Sequence, residues 1–288
     1  MTSPSGNDIS KQVRQALDED LGAGTASEFS NQDVTASLIP ENKDSTAQLI
    51  CREKAILCGR DWFDAAFNLL NSNIKIKWFF EEGDEININD VICEVAGHAA
   101  HILTAERTAL NFLQTLSATA TQTHIYASAI SSTECKILDT RKTIPGLRLA
   151  QKYAVSCGGG VNHRVGLYDM VLIKENHILA AGSISAAVKK ARSDFKSLKI
   201  EVEVENLDEL QQAIDAEVDR ILLDNMSVQM LKEAVALNAG RIDLEASGNI
   251  TLDSILSIAE TGVDYISTGA ITKNINAIDF SLRFTDDN

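Results

Sequence analysis

Two clusters of cations stand where apolar runs stop or start. Thr140-Arg141-Lys142 closes the run Ile137-Leu138-Asp139, and Asn162-His163-Arg164 precedes a second run that ends on Lys174. Between residues 136 and 176, seven Lys and Arg face three acids, a local charge of +4 in a chain of net charge −15. Guanidinium and ammonium groups at this density bind carboxylate or phosphate, each charged hydrogen bond contributing about 1.5–3 kcal/mol. Arg141 alone would read as half of a surface ion pair, worth about 0–1 kcal/mol. Recurrence at two successive positions favours a small anionic ligand instead.

The opposite charge follows downstream. In Ile200-Glu201-Val202-Glu203-Val204-Glu205 the acids alternate with valines. A strand there sends all three carboxylates to one face, with the valines packed against helices. Asp224 closes the run Ile221-Leu222-Leu223. Glu203 and Asp224 suit Mg²⁺, which takes one or two carboxylates and completes its shell from substrate phosphates. Ser247-Gly248-Asn249 and Gly269-Ala270 are small enough for backbone N–H groups to approach a phosphate. His98 and His101 are one helical turn apart but lack a third ligand, which favours a surface turn. Arg107 in the segment TAERTALN reads from spacing alone as a helix-surface charge.

The elements that position these residues follow from hydrophobic period. After Lys136, six candidate strands (136–140, 169–175, 199–205, 219–225, 243–248 and 264–270) alternate with helical stretches such as SISAAVKKARSDF. Asn206 and Ser227 are placed as helix N-caps. Repeated β–α units imply a parallel sheet with right-handed crossovers, with chemistry at the C-terminal strand ends. The number and length of the units predict an open, incomplete α/β barrel, and the absence of GxGxxG lowers a dinucleotide-binding sheet. The N-terminal half predicts an α+β sandwich domain. It has helices over 8–21 and 61–71 and antiparallel strands over 74–80 and 85–89, joined at Gly83-Asp84. A further strand covers 91–97. A long helix from about Thr104 is expected to break near Ser117–Thr121, where Ser and Thr crowd. The expected domains are 1–115 and 116–273, with 274–288 a candidate to pack with the first.

The acidic balance argues against nucleic acid or an anionic membrane surface as partner. No apolar run reaches the ~18 residues of a membrane span, and the first residues lack a signal-peptide pattern. Five scattered cysteines without C-x-x-C spacing fit reduced thiols in the cytoplasm.

The blocks DTRKTIPGLRLAQKYAVSCGGGVNHRVGLYDMVLIKENHI, ERTALNFLQTLS, IEVEVENLDEL, ILLDNM, LEASGNI and ISTGAIT resemble the quinolinate phosphoribosyltransferase family across nearly the whole chain. The resemblance implies transfer of phosphoribosyl from phosphoribosyl pyrophosphate (PRPP) to quinolinate. Decarboxylation accompanies it, giving nicotinate mononucleotide, pyrophosphate and CO₂ with Mg²⁺. It implies a homodimer, with assembly beyond the dimer left open. Arg141, His163, Arg164 and Lys174 would surround the dicarboxylate, Arg107 would reach it from the other subunit, and Thr140 joins the substrate-binding set. Lys142 would lie between quinolinate and pyrophosphate, and Glu203 and Asp224 would serve Mg²⁺ and the ribose hydroxyls. Ser247, Gly248, Asn249, Gly269 and Ala270 would cradle the 5′-phosphate. Lys273 stands where some members carry His. Two other readings stay open: a nicotinate-specific transferase on the same fold, and a phosphoribosyl-binding sensor without turnover.

Overall fold

The computed structural model describes residues 4–22 and 33–285. Its elements in chain order are α1 (Gly6–Leu21), a 3-10 turn (Ala36–Leu38), β1 (Asp44–Cys51), β2 (Ala55–Ile56), α2 (Arg60–Leu70), β3 (Lys75–Trp78), β4 (Glu85–Ile86), β5 (Val91–His98) and α3 (Ala99–Ala129). There follow β6 (Lys136–Leu138), α4 (Arg148–Cys157), β7 (Val171–Ile173), α5 (Glu175–Ala181), α6 (Ile184–Asp194), β8 (Ile200–Val204), α7 (Leu207–Asp215), β9 (Arg220–Asp224) and α8 (Val228–Asn238). The last are β10 (Asp243–Ser247), α9 (Leu252–Ala259), β11 (Tyr265–Ser267), α10 (Ala270–Lys273) and β12 (Phe280–Phe284). The chain divides into two compact units: residues up to Gln122 with 144–158 and 275 onward, and residues 123–143 with 159–274. This differs from the expected division at 116–122 and 144–158. The physical reason for the second stretch is that Ala150 and Ala154 of α4 are buried in the core of the first unit.

The first unit is built on an antiparallel sheet of order β12-β1-β5-β3. Helix α1 buries Ile9, Val13 and Leu17, one stripe at a spacing of four. It starts with a capping box in which Ser5 Oγ accepts from the Asp8 N–H and the Asp8 carboxylate accepts from the Ser5 N–H. Helix α2 buries Trp62, Phe63, Ala66 and Phe67. The expected hairpin across Gly83-Asp84 does not form. β3 pairs with β5, and β4 pairs instead with the two-residue β2. His98 and His101 are not a ligand pair. Their rings lie 4.7 Å apart, with His98 Nε2 on the Glu41 carbonyl and His101 Nδ1 on the Asn71 amide.

The expected break in the long helix is also absent, and α3 runs unbroken for 31 residues. Its hydroxyls serve the loop that leads into α2. Ser117 Oγ accepts from the Cys58 N–H and donates to the Cys58 carbonyl, both at 3.0 Å, and Thr121 Oγ1 accepts from the Ile56 N–H at 2.8 Å. Side chains that weaken an isolated helix are kept here because buried backbone groups would otherwise lack partners.

The second unit is a six-stranded, all-parallel sheet of order β6-β11-β10-β9-β8-β7, with β6 and β7 as its unjoined edges. Val202, Val204, Ile221, Leu223, Leu244, Ala246 and Ile266 are at most 2% exposed, so the even-numbered positions of β8 and the alternate positions of its neighbours face a covering layer. Asn206 Oδ1 caps α7 through the Glu209 N–H, and Ser227 Oγ caps α8 through the Met230 N–H, both as expected. The Glu209 carboxylate turns to the Glu205 N–H rather than completing a box with Asn206.

Replacing Ser117 by Ala strands two backbone groups of Cys58 in the core. The expected loss is about 1–3 kcal/mol in urea unfolding, and an unchanged midpoint would show that the hydroxyl does not hold the loop.

Candidate active site

Strand register sets the residues of the site in layers. In a parallel sheet, partners in register point to the same face. Leu172 of β7 stands beside Glu201 of β8, and Glu201 beside Arg220 of β9. One step toward the C-terminal ends, Glu203, Leu222, Glu245 and Tyr265 form a row. Asp224 and Ser247 form the next. A cavity of about 420 Å³ opens at this end. It is lined by Leu172, Glu203, Leu222, Asp224, Glu245, Ser247 and Ser267 from the strands. Thr140, Arg141, Lys142, His163, Arg164 and Lys174 line it from the segments beyond them. Because residues that follow both edge strands line one cavity, the open sheet curls into the incomplete α/β barrel that the spacing predicts.

Below the mouth lies a buried charge cluster that sequence reasoning missed. His163 Nε2 sits 2.9 Å from Glu201 and 3.4 Å from Glu245, and both carboxylates are fully buried. Arg220 approaches Glu245 at 3.5 Å and lies over the Tyr265 ring at 4.3 Å. Burial alone would push the imidazole down, but its hydrogen bonds to Glu201 and Glu245 and their charges outweigh that and raise it to about 9. The Arg164 N–H points at His163 Nδ1 at 2.7 Å, which favours a singly protonated ring. Charge balance decides between them. A neutral ring would leave two buried carboxylates facing one guanidinium, whereas an imidazolium makes two cations face two anions. Burial, then the charge of Glu245, raises Glu201. In Glu245, burial is outweighed by His163, Ser267 and Arg220, which lower it. The alternation of Glu201 and Glu203 was legible in the sequence. That Glu245, in Leu-Glu-Ala-Ser, belongs to the same face shows only once β10 is set in register. Glu205, expected on that face, lies past the end of β8 and is exposed.

Asp139, also fully buried, shapes the loop that carries His163. Its carboxylate accepts from the His163 N–H at 2.9 Å and from Asn162 Nδ2 at 2.8 Å. Asp169 accepts from the Val165 and Gly166 N–H groups in the same way. Arg164 is pushed below the usual guanidinium range by burial and then by Arg141, so two like charges are held together at the mouth. Lys174 Nζ is paired with Glu203 Oε2. Anionic substrates would relieve the first strain and compete for the second pair.

The last strand ends meet the first. A Cβ on Gly269 would come within 2.8 Å of Lys142 Cδ, and Thr272 Oγ1 donates to the Lys142 carbonyl at 2.8 Å. Gly248, at φ +101°, lies where a Cβ would run into the Asn225 side chain, and Asn249 Nδ2 donates to Asn225 Oδ1 at 3.3 Å. Gly248, Asn249, Gly269 and Ala270 therefore stand at the ends of β10 and β11 but outside the cavity lining. Arg107, on α3, does not line this cavity either. It lines a cleft of about 450 Å³ in the first unit with Gln12, Glu19, Asp20 and Asn111.

Two family models match the chain. They are the quinolinate phosphoribosyl transferase N-terminal domain over residues 33–117 and its C-terminal domain over 119–283. A tobacco quinolinate phosphoribosyltransferase [decarboxylating], named mitochondrial, is 40% identical over 96% of this chain and 82% of its own length. A probable nicotinate-nucleotide pyrophosphorylase [carboxylating] from Bacillus subtilis is 40% identical over 96% of this chain and 93% of its own. The solved nicotinate-nucleotide pyrophosphorylase from Francisella tularensis superposes with a TM-score of 0.93 at 49% identity, covering 99% of this chain and 98% of that one.

The raised imidazole gives a pH signature. His163 binds its proton more tightly folded than unfolded (about 9 against an ordinary ~6.5), so its stabilisation is full below ~6.5 and lost as pH rises through about 9. Unfolding measured from pH 6 to 10 should show wild type losing up to ~3 kcal/mol relative to His163→Gln across that window. Parallel curves for the two proteins would mean the ring is neutral.

Proposed function

The chain belongs to the quinolinate phosphoribosyltransferase family, and from that premise we propose that its strand-end cavity joins quinolinate to PRPP. The products are nicotinate mononucleotide, pyrophosphate and CO₂, a step of de novo NAD biosynthesis. The observation that carries this is the placing of Arg141 with Arg164 at the mouth of a cavity that Lys142, Lys174, Glu203 and Asp224 also line. A dicarboxylate ring and a pyrophosphate carry negative charge of the kind that such a set of cations binds.

Arg141, Arg164 and Lys174 hold and orient the ring carboxylates, which sets the pyridine nitrogen for attack on the ribose C1. As the C1–oxygen bond to pyrophosphate breaks, positive charge develops on the ribose, and Glu203 and Asp224 stabilise it. Lys142 lies between the two substrates, its stem against Gly269 and its carbonyl fixed by Thr272. Once the nitrogen is quaternised, its positive charge stabilises the electron pair left on the adjacent ring carbon as the carboxylate departs as CO₂, and a proton from solvent then takes that position. His163 turns Nε2 to Glu201 and Glu245 and acts by charge from the floor of the cavity rather than as a free donor. Ser247, Gly248, Asn249, Gly269 and Ala270 form the proposed 5′-phosphate end.

Glu203 and Asp224 fit Mg²⁺ as substrate-borne metal rather than a resident ion. Among the described residues they join no third His, Cys, Asp or Glu close enough to complete a site, so phosphate oxygens and water would supply the rest. When bound, Mg²⁺ stabilises charge on the leaving pyrophosphate. Arg107 lines a cleft of the first unit, and we take it to act across a homodimer, as the family resemblance implies. No helix among the described residues is long and apolar enough to cross a membrane. Five free cysteines support a reducing compartment, and we take the cytoplasm as that compartment, although the tobacco relative is named mitochondrial.

Incubation with quinolinate, PRPP and Mg²⁺ should yield nicotinate mononucleotide with one CO₂ per turnover. Turnover of nicotinate without CO₂ would support the monocarboxylate reading instead. Arg164→Ala should lower kcat/KM for quinolinate roughly 10- to 150-fold, the loss of one charged contact. Lys142→Ala and Arg107→Ala should each be inactive. Mixing the two after subunit exchange should restore part of the activity, and exchange without recovery would place Arg107 in its own chain's site.

A further inference from the structure

A second cluster of reactive groups lies wholly within the first unit and takes no part in the proposed reaction. Cys58, Glu82 and Cys157 bring a sulfur, a carboxylate oxygen and a sulfur within 4.8 Å of one another. They come from three separate places: the loop into α2, the turn before β4, and the last residue of α4. We infer that Cys58 and Cys157 are a redox-responsive dithiol, closed to a disulfide by hydrogen peroxide and reopened by a thiol reductant.

The two sulfurs differ in a way that assigns their roles. Cys58 is fully buried and rigid, its N–H and carbonyl both tied to Ser117 Oγ. Burial, chiefly, raises its thiol well above the usual range. Cys157 is half-buried, and hydrogen bonds from Cys58 first and also from Tyr153 outweigh burial and the facing Glu82 carboxylate, 3.9 Å from its sulfur, so its thiol is lowered. The partly exposed thiolate is thus the attacking sulfur and the buried thiol the resolving one. Closing the remaining gap to the ~2.05 Å of an S–S bond requires movement at Cys157. Cys157 ends its helix, and Gly158, Gly159 and Gly160 follow it, with Gly159 at φ +87°.

A metal ion is the less suitable occupant. Both Glu82 oxygens already accept from the Gly59 N–H, and one also from the Arg60 N–H, so the carboxylate caps α2. The redox step balances without it. The Cys157 thiolate attacks the peroxide, an S–O bond forms and the O–O bond breaks, leaving a sulfenic acid and, after protonation, water. The Cys58 sulfur then attacks that sulfenic sulfur, S–S forms and S–O breaks, and hydroxide leaves with the Cys58 proton as a second water. Two electrons pass from the two thiols to the peroxide.

The test is peroxide treatment of the purified full-length protein, blocking of remaining thiols with iodoacetamide, and tryptic mapping. The expected product joins AILCGR (55–60) to YAVSCGGGVNHR (153–164), two hydrogens lighter than the separate peptides. The protein should lose two of its five titratable thiols, and dithiothreitol should restore them. Cys58→Ser should leave a sulfenic acid at residue 157 that dimedone traps, and Cys157→Ser, at the more exposed position, should give neither product. Absence of the crosslink in wild type, or equal oxidation of Cys51, Cys93 and Cys135, overturns the assignment.

Discussion

Two carboxylates buried on the inner face of a parallel sheet, Glu201 and Glu245, set the terms for the rest of the barrel. An unpaired carboxylate there would be too costly to ionise, so the fold must bring cations to it. Arg220 comes from the neighbouring strand and is held over Tyr265. His163 comes from a loop that Asp139 pins by two hydrogen bonds. Placing His163 places Arg164 beside it and next to Arg141, and the cation-lined mouth is assembled from the same requirement that neutralises the floor. The floor and the mouth of the cavity therefore share one electrostatic arrangement.

Much of this was legible in the chain because parallel strands carry a strong signal. Runs such as Ile221-Leu222-Leu223-Asp224 are apolar until they reach the end where chemistry sits, so strand, direction and site residue were read together. All six strands of the sheet lie within the segments expected of them. The cations at Arg141, Lys142, Arg164 and Lys174 converge on one cavity, as their recurrence implied. What stayed hidden depends on register between distant strands. Glu245 looks like an ordinary acid until β10 is aligned with β9, and Asp139 looks like a strand residue until the loop beyond Asn162 folds back onto it.

The misreadings have one physical origin, which is tertiary partners that override local preference. Ser117, Thr119 and Thr121 weaken a helix in isolation, but here they satisfy buried backbone groups of the 56–58 loop or their own helix. The Gly83-Asp84 turn invites a hairpin, yet β5 offers β3 the longer partner, and β4 is left for β2. Likewise α4 looks like the first barrel helix by position, while its alanines fit the core of the other unit.

The strand β12 pairs with β1 along five residues, and Ile278, Phe280 and Leu282 lie in the core of the first unit. That core is consequently divided between strands made before the barrel and a strand made after it. Its first strands emerge from the ribosome well before the segment that completes them, and the whole barrel is made in between. An unfinished edge on β1 must remain soluble through that interval, and the polar residues Ser45, Thr46 and Gln48 on that strand suit such a wait. In this chain the barrel is an insertion in time as well as in sequence, and the first unit to be started is the last to be finished.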